Sequence, residues 1–161
     1  MIEVMEKNVK CNVNEMKIEF SAVSDNEAFA RMAVAAFVMP LNPTMEELAD
    51  VKTAVSEAVT NAVIHGYDNR NLVEEKVYMN CSIEKDVLEV EIQDKGVGIE
   101  NIPKAMEPLY TTKPDMDRSG MGFAFMEAFM DNLEVYSSPG TGTLVRMYKK
   151  IGLSSWIDCE E

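Results

Sequence analysis

The run Val77-Tyr-Met-Asn-Cys-Ser-Ile-Glu-Lys-Asp-Val-Leu-Glu-Val-Glu-Ile-Gln-Asp-Lys-Gly-Val-Gly98 decides the fold. Val77, Met79, Cys81 and Ile83 alternate with polar residues, and Leu88, Val90 and Ile92 do the same after Glu84-Lys85-Asp86. A period of two puts successive side chains on opposite faces of a strand. The pattern therefore predicts an antiparallel hairpin with one packed face and one wet face. The hairpin leads into Asp94-Lys95-Gly96-Val97-Gly98. Glycines there let the backbone approach a ligand closely, and an Asp at a strand end offers an acceptor to an exocyclic amine. Taken alone, the same residues make an ordinary Asp/Gly turn.

Upstream, Met16 to Phe20 alternates as a short strand. Ser24 and Glu27 read as a capping box opening a helix that runs through Phe29, Ala33 and Phe37 to about Met39, where Pro40 ends it. Thr44 and Glu47 repeat the box ahead of a longer helix reaching about Gly66, a residue suited to a C-terminal cap. Leu48, Val51, Val55, Ala58 and Ala62 form its apolar stripe. Downstream, a Gly/Pro-punctuated segment from Lys95 to Gly122 is too long for a simple connector and has the length of a functional lid. A helix over 121–131 and a hairpin of Leu133–Ser137 with Thr143–Lys149 complete the pattern. Helices first, hairpins after and no βαβ alternation predict an α+β, two-layer sandwich: a mixed, largely antiparallel sheet with helices on one face.

The chain has 161 residues, 47% hydrophobic and 27% charged, with a net charge of −13. That composition describes an ordinary globular domain. Residues 1–14 hold charges and Asn without an apolar core, so no secretory signal is read there, and no run approaches the roughly 18 apolar residues of a membrane helix. A cytoplasmic protein that does not meet the membrane is expected. No basic patch is available to neutralise phosphates, which argues against direct nucleic-acid binding. The acidity suits a partner with a basic face, and equally serves solubility alone. Cys11, Cys81 and Cys159 are far apart and odd in number, the pattern of reduced thiols, with Cys81 in a strand. The expected organisation is a flexible extension over 1–14, one domain over 15–150 and a tail over 151–161, which holds Trp156.

Four elements carry chemistry. On the long helix, Glu57 and Asn61 lie one turn apart on a face other than the apolar one, with His65 one turn further. Asn offers a neutral oxygen to Mg²⁺ and Glu can accept a proton from an attacking hydroxyl. The turn Asp94-x-Gly96-x-Gly98 is the second. Arg118-Ser119-Gly120-Met121-Gly122-Phe123 opens a helix whose N–H groups face outward to an anion. Gly140-Thr-Gly-Thr143 enters the last strand. Each has a plain structural alternative: a solvated pair, a turn, a glycine-rich helix start, a hairpin. No GxxxxGK[ST] and no GxGxxGxV loop occurs, so the two commonest ATP folds are excluded.

The order and spacing of these elements resemble the GHKL ATP-binding family, which includes gyrase-type topoisomerases and the ATP-binding domain of histidine kinases. Ser56-Glu-Ala-Val-Thr-Asn-Ala-Val-Ile-His-Gly-Tyr67, Pro108-Leu-Tyr-Thr-Thr-Lys-Pro114 and Arg118-Ser-Gly-Met-Gly-Phe123 narrow it to the anti-sigma-factor serine kinases. With Phe20-Ser-Ala and Asn26-Glu-Ala-Phe-Ala-Arg31, the chain is most similar to the sporulation branch of that family, over about residues 15–150.

The resemblance implies a Bergerat nucleotide-binding fold that takes ATP/ADP with Mg²⁺, and a serine protein kinase activity. Its implied partners are a sporulation sigma factor of the sigma-F type, which it sequesters as a homodimer, and an anti-anti-sigma factor, which it phosphorylates on serine. Residue by residue, it implies Glu57 as general base and Asn61 as Mg²⁺ ligand. It implies Asp94 as the adenine reader, with Gly96 and Gly98 beneath the nucleotide. Ser119, Gly120, Met121 and Gly122 match the phosphate loop, and Thr143 the threonine at the adenine end. Thr111, Thr112, Lys113 and Arg118 fall in the lid, where cations could meet phosphate charge. Arg31 interrupts an apolar helix in the region the family uses for partners. It is read either as a partner contact or as an Arg snorkelling to solvent.

His65, the only histidine, follows the Asn61 helix and sits in no phosphoacceptor hairpin, so a sensor histidine kinase is excluded and His65 is read as structural. Two rivals stay open: a nucleotide-dependent sigma-binding module without kinase activity, and the same switch serving a stress-response sigma factor. Met106, Met116, Met121, Met126 and Met130 crowd the lid and the helix behind it. Methionine fits either a surface that repacks or a filled core.

Overall fold

Alternation makes the strands. In a computed structural model that describes residues 13–68, 73–110 and 121–152, β1 spans Val13–Ser21, β2 Lys76–Glu84, β3 Val87–Asp94, β4 Asn132–Ser138 and β5 Gly142–Lys150. They form one sheet in the order β1-β2-β3-β5-β4. Val77, Met79, Cys81, Ile83, Leu88, Val90 and Ile92 are all buried, while Tyr78, Asn80 and Ser82 between them are half-buried on the other face. The expected hairpin is present, turning on Lys85 and Asp86 with Ile83 opposite Leu88. The sheet was expected to be mixed; each of its four pairings is antiparallel. Two of them close through short turns, and antiparallel neighbours are the only kind such turns can join.

The helices lie on one face, giving the expected two-layer α+β architecture. They are α1 (Asn26–Val38), α2 (Met45–Asn61), α3 (Ile102–Ala105) and α4 (Gly122–Phe129). Helix α2 is central: α1 and α4 pack on either side of it. Its Val51, Ala54, Val55, Ala58 and Val59 are buried against the sheet, and Leu48 packs at the edge of the same cluster. Met126 and Met130 are buried core residues, so the core-filling reading of those two methionines holds. Met116 lies outside the described residues.

Of the two expected capping boxes, the one at Thr44 forms. Its hydroxyl accepts from the Glu47 N–H at 3.1 Å, and the Glu47 carboxylate accepts from the Thr44 N–H at 2.9 Å. The other does not form. Helix α1 starts after Asp25, without a side-chain cap. Glu27 accepts instead from the Ser56 hydroxyl on α2 and pairs with Arg31 at 3.5 Å. A carboxylate engaged across two helices is not available to its own helix end. Past Val38 a 3₁₀ turn, Met39–Leu41, carries Pro40 and stops the helix. Cys81 is buried and burial pushes its thiol up to about 12, which leaves it inert. Cys11, Cys159 and Trp156 lie outside the described residues.

Candidate functional site

Helix α2 ends at Asn61, and the chain continues as one π-helical turn, Ala62–Gly66. Single π turns recur at functional sites because they re-aim the residues on either side. Here the turn sets Gly66 flat against the end of β3. A Cβ on Gly66 would stand 2.7 Å from the Asp94 carboxyl carbon, and one on Gly96 would stand 1.9 Å from the Gly66 carbonyl oxygen. Neither position has room for a side chain. The Val97 N–H then donates to the Gly66 carbonyl at 3.0 Å, closing the turn onto the helix end.

Asp94 is the one charged side chain buried among the described residues, 5% exposed. Its carboxylate accepts from the Gly96 N–H at 2.9 Å and from the backbone N–H of Thr143, its neighbour across β3 and β5. Desolvation outweighs both bonds and raises its pKa from 3.8 to about 6. A buried carboxylate with unused acceptor capacity is suited to a ligand donor such as an exocyclic amine.

Asp94 lies at one end of a cavity of about 530 Å³. Ala58, Ala62, Ile92 and Val145 give it apolar lining, and Val97 to Asn101, Lys104, Ala105 and Tyr110 line it as well. Asn61, Gly122 and Phe123 close the other end. A largely apolar cavity with one buried carboxylate suits a flat heteroaromatic ring. At the far end, a Cβ on Gly122 would lie 3.1 Å from Asn61 Oδ1 and 3.3 Å from Glu57 Oε2. Helix α4 begins at this glycine, so its first N–H groups sit beside the Glu57–Asn61 pair. The lining thus joins a buried carboxylate at Asp94 to a Glu57–Asn61 pair beside the start of a helix.

The sequence-derived candidates distribute unevenly. Glu57, Asn61, Asp94, Gly96, Gly98, Gly122 and Thr143 are drawn together around the cavity. Met121 precedes α4 at the same end. Thr111, Thr112, Lys113, Arg118, Ser119 and Gly120 lie outside the described residues. Arg31 is not in the cavity: it stands on α1, 41% exposed, against Glu27 and beside the exposed Phe29 and Met32. Sequence reasoning missed Gly66 as a contact for Asp94, Tyr67 behind it, and His65, Lys104 and Tyr110 in the cavity wall. It also missed Ser137, whose hydroxyl accepts from the Ile99 N–H at 2.8 Å and hydrogen-bonds the Thr143 hydroxyl at 2.9 Å. The one available signal was His65-Gly66-Tyr67 itself, a small residue between two large ones where a helix gives out.

Comparison with known proteins agrees with this geometry. The histidine kinase-like ATPase domain matches residues 20–149. Anti-sigma F factors of Oceanobacillus iheyensis (54% identical over 144 residues, 89% of this chain and 97% of theirs) and Clostridium beijerinckii (58% over 142 residues, 88% and 98%) are close relatives. That of Bacillus subtilis is 52% identical over 141 residues, covering 88% of this chain and 95% of its own. A crystal structure of the RsbU and RsbW domains of a Mycobacterium tuberculosis protein superimposes with a TM-score of 0.62 at 18% identity. It covers 86% of this chain and 32% of that one, and shows a shared fold.

Proposed function

Since the chain belongs to the anti-sigma F factors, within the histidine kinase-like ATPase domains, we propose that it is a cytoplasmic serine protein kinase that also sequesters a sporulation sigma factor. In this reading it binds Mg-ATP, transfers the γ-phosphate to a serine of an anti-anti-sigma factor, and holds a sigma-F-type factor as a homodimer. One observation carries the reading. Glu57 and Asn61 meet the glycine at the start of α4 at one end of a slot whose other end is the buried Asp94. A proton acceptor, an oxygen ligand and an anion-binding helix end therefore gather beside the cavity that Asp94 lines. That is the arrangement phosphoryl transfer from an adenine nucleotide requires.

Asp94 accepts from the adenine amine, and the backbone at Gly96 and Gly98 passes beneath the nucleotide. The backbone N–H groups at Gly122 take the phosphates, with Ser119, Gly120 and Met121 preceding them in the chain. Thr111, Thr112, Lys113 and Arg118 would supply the remaining phosphate contacts from the lid. A half-buried Asn oxygen lining the cavity beside Gly122 fits a hard cation that draws its other ligands from phosphate and water. Mg²⁺ held there would neutralise charge on the phosphates. Glu57 takes the proton from the serine hydroxyl as its oxygen bonds the γ-phosphorus. The bond from that phosphorus to the bridging oxygen breaks, and ADP leaves with the electron pair. Thr143 fixes Asp94 through its N–H. Arg31, with exposed Phe29 and Met32 beside it, is the proposed partner contact: a cation flanked by apolar side chains is the composition of an interface anchor.

Incubation with a candidate anti-anti-sigma protein and labelled ATP tests this directly. Phosphoserine on that protein, with Mg²⁺ required, is the expected outcome. Sigma capture with ATP and no phosphoserine would leave a binding module and overturn the kinase.

A further inference from the structure

Where the pairing of β2 and β3 stops, a side chain takes its place. The last registered pair toward the cavity is Tyr78 opposite Gln93. Two residues further along each strand, Lys76 would face Lys95, yet the two backbones do not bond each other there. The Tyr67 hydroxyl sits between them, donating to the Lys76 carbonyl at 2.6 Å and accepting from the Lys95 N–H at 2.7 Å. Tyr67 is 5% exposed and follows directly on the π turn. Lys76 is still paired on its other side with Ser21 of β1, so the phenol is braced against the fixed part of the sheet.

We propose that Tyr67 is a positioning residue that aims the Asp94 carboxylate and so sets the site's preference for a 6-aminopurine over a 6-oxopurine. The inference rests on the reading of Asp94 as the ring-end acceptor. The turn carrying Asp94 is tied on both sides of Gly96: the Lys95 N–H goes to Tyr67 and the Val97 N–H to the Gly66 carbonyl. Within the turn, the Gly96 N–H fixes the carboxylate's rotation. Residues 66 and 67 are thus a two-point clamp on a three-residue turn. An amine donates to a well-aimed carboxylate, whereas a 6-oxo group would set one acceptor against another. Loosening the aim weakens the first interaction and relieves the second. Glu57 and Asn61 precede Tyr67 on one continuous helical run and Gly122 stands on α4; because ATP and inosine triphosphate share their phosphates, any change there moves both affinities alike.

The test is calorimetric titration of the full chain with ATP and with inosine triphosphate, which differ at the purine 6-position. Wild type, Tyr67→Phe and Asp94→Asn are compared. Tyr67→Phe is expected to lower ATP affinity roughly tenfold, the size of one buried hydrogen bond, while inosine triphosphate affinity holds or rises as its clash is relieved. The ratio within one variant is insensitive to the fraction folded, so partial unfolding does not imitate the effect. An unaltered ratio in Tyr67→Phe, with or without a common loss of affinity, overturns the positioning role. If Asp94→Asn also leaves the ratio at its wild-type value, the ring-end assignment itself fails. If Asp94→Asn collapses the ratio and Tyr67→Phe does not, only the inference about Tyr67 is lost.

Discussion

The two ends of the cavity are built by opposite means. Asp94 is buried, clamped by glycines that admit no Cβ, and held at a pKa of about 6 by desolvation. Glu57 and Asn61 are half-buried on one long helix, with Gly122, the first residue of α4, close beside them. Keeping Asp94 charged near neutral pH costs on the order of 3 kcal/mol, two pKa units' worth of lost hydration. That cost is repaid only when a ligand donor arrives. Under the proposed function, the contrast makes recognition and chemistry separable: one end would select the ring, and the other would act on the phosphate.

That separation can be broken most sharply at Glu57. Glu57→Ala should lower phosphotransfer by roughly 10²–10⁴-fold, the usual size of general-base catalysis, and leave ATP affinity intact. Single-turnover assays beside calorimetry measure both, and wild-type rates would move the base elsewhere. Asp94→Asn should do the reverse. An amide NH₂ facing the purine amine should weaken ATP binding about 100-fold, while any nucleotide forced on at high concentration should still react. Unchanged affinity would remove Asp94 from the ring end.

A third prediction sharpens the comparison through pH. Because the folded-state pKa of Asp94 is raised above 3.8 to about 6, protonation stabilises the folded chain. This contribution is fully present below pH 4 and is lost as pH rises through 6. Nucleotide affinity runs the other way, since only the carboxylate accepts from the amine. ATP binding should weaken by about tenfold per unit below pH 6, and ligand-free thermal stability should gain from Asp94 over the same range. Asp94→Asn should flatten both profiles. The smallest effect is expected furthest from the cavity. Arg31→Glu should weaken partner binding by about 5- to 20-fold, as loss of an interface anchor does, with ATP affinity unchanged. Normal affinity for both the sigma factor and the anti-anti-sigma factor would direct the search for the contact surface to another element.

Much of the fold was legible because its signals are local. The alternation around Lys85-Asp86 predicts the hairpin that forms, since a sheet with one wet face writes its burial into every second residue. Thr44 and Glu47 are three residues apart and satisfy each other without outside help. Ser24 and Glu27 have the same spacing and do not, because Ser56, 29 residues from Glu27, takes that carboxylate. A capping box is a statement about one turn of chain, and it fails where tertiary packing offers its Glu a better partner.

The site divides along the same line. Glu57, Asn61, Asp94, Gly96 and Gly122 could be singled out from residue type and spacing, because a helix turn and a strand end fix which neighbours share a face. That Gly66 must be glycine for the sake of Asp94 could not. Its sequence position suggests a helix cap, whereas its contact is with a strand 28 residues on. Tyr67 likewise carries no local signal of its role, which appears only when the folded chain inserts its hydroxyl between Lys76 and Lys95. The sequence by itself determined the elements, their order and the chemical types that line the slot. Tertiary structure alone decided that Asp94 is dry, that two glycines touch and that a phenol replaces a rung of the sheet. Burial and close approach depend on where distant segments meet, and local spacing carries no record of that.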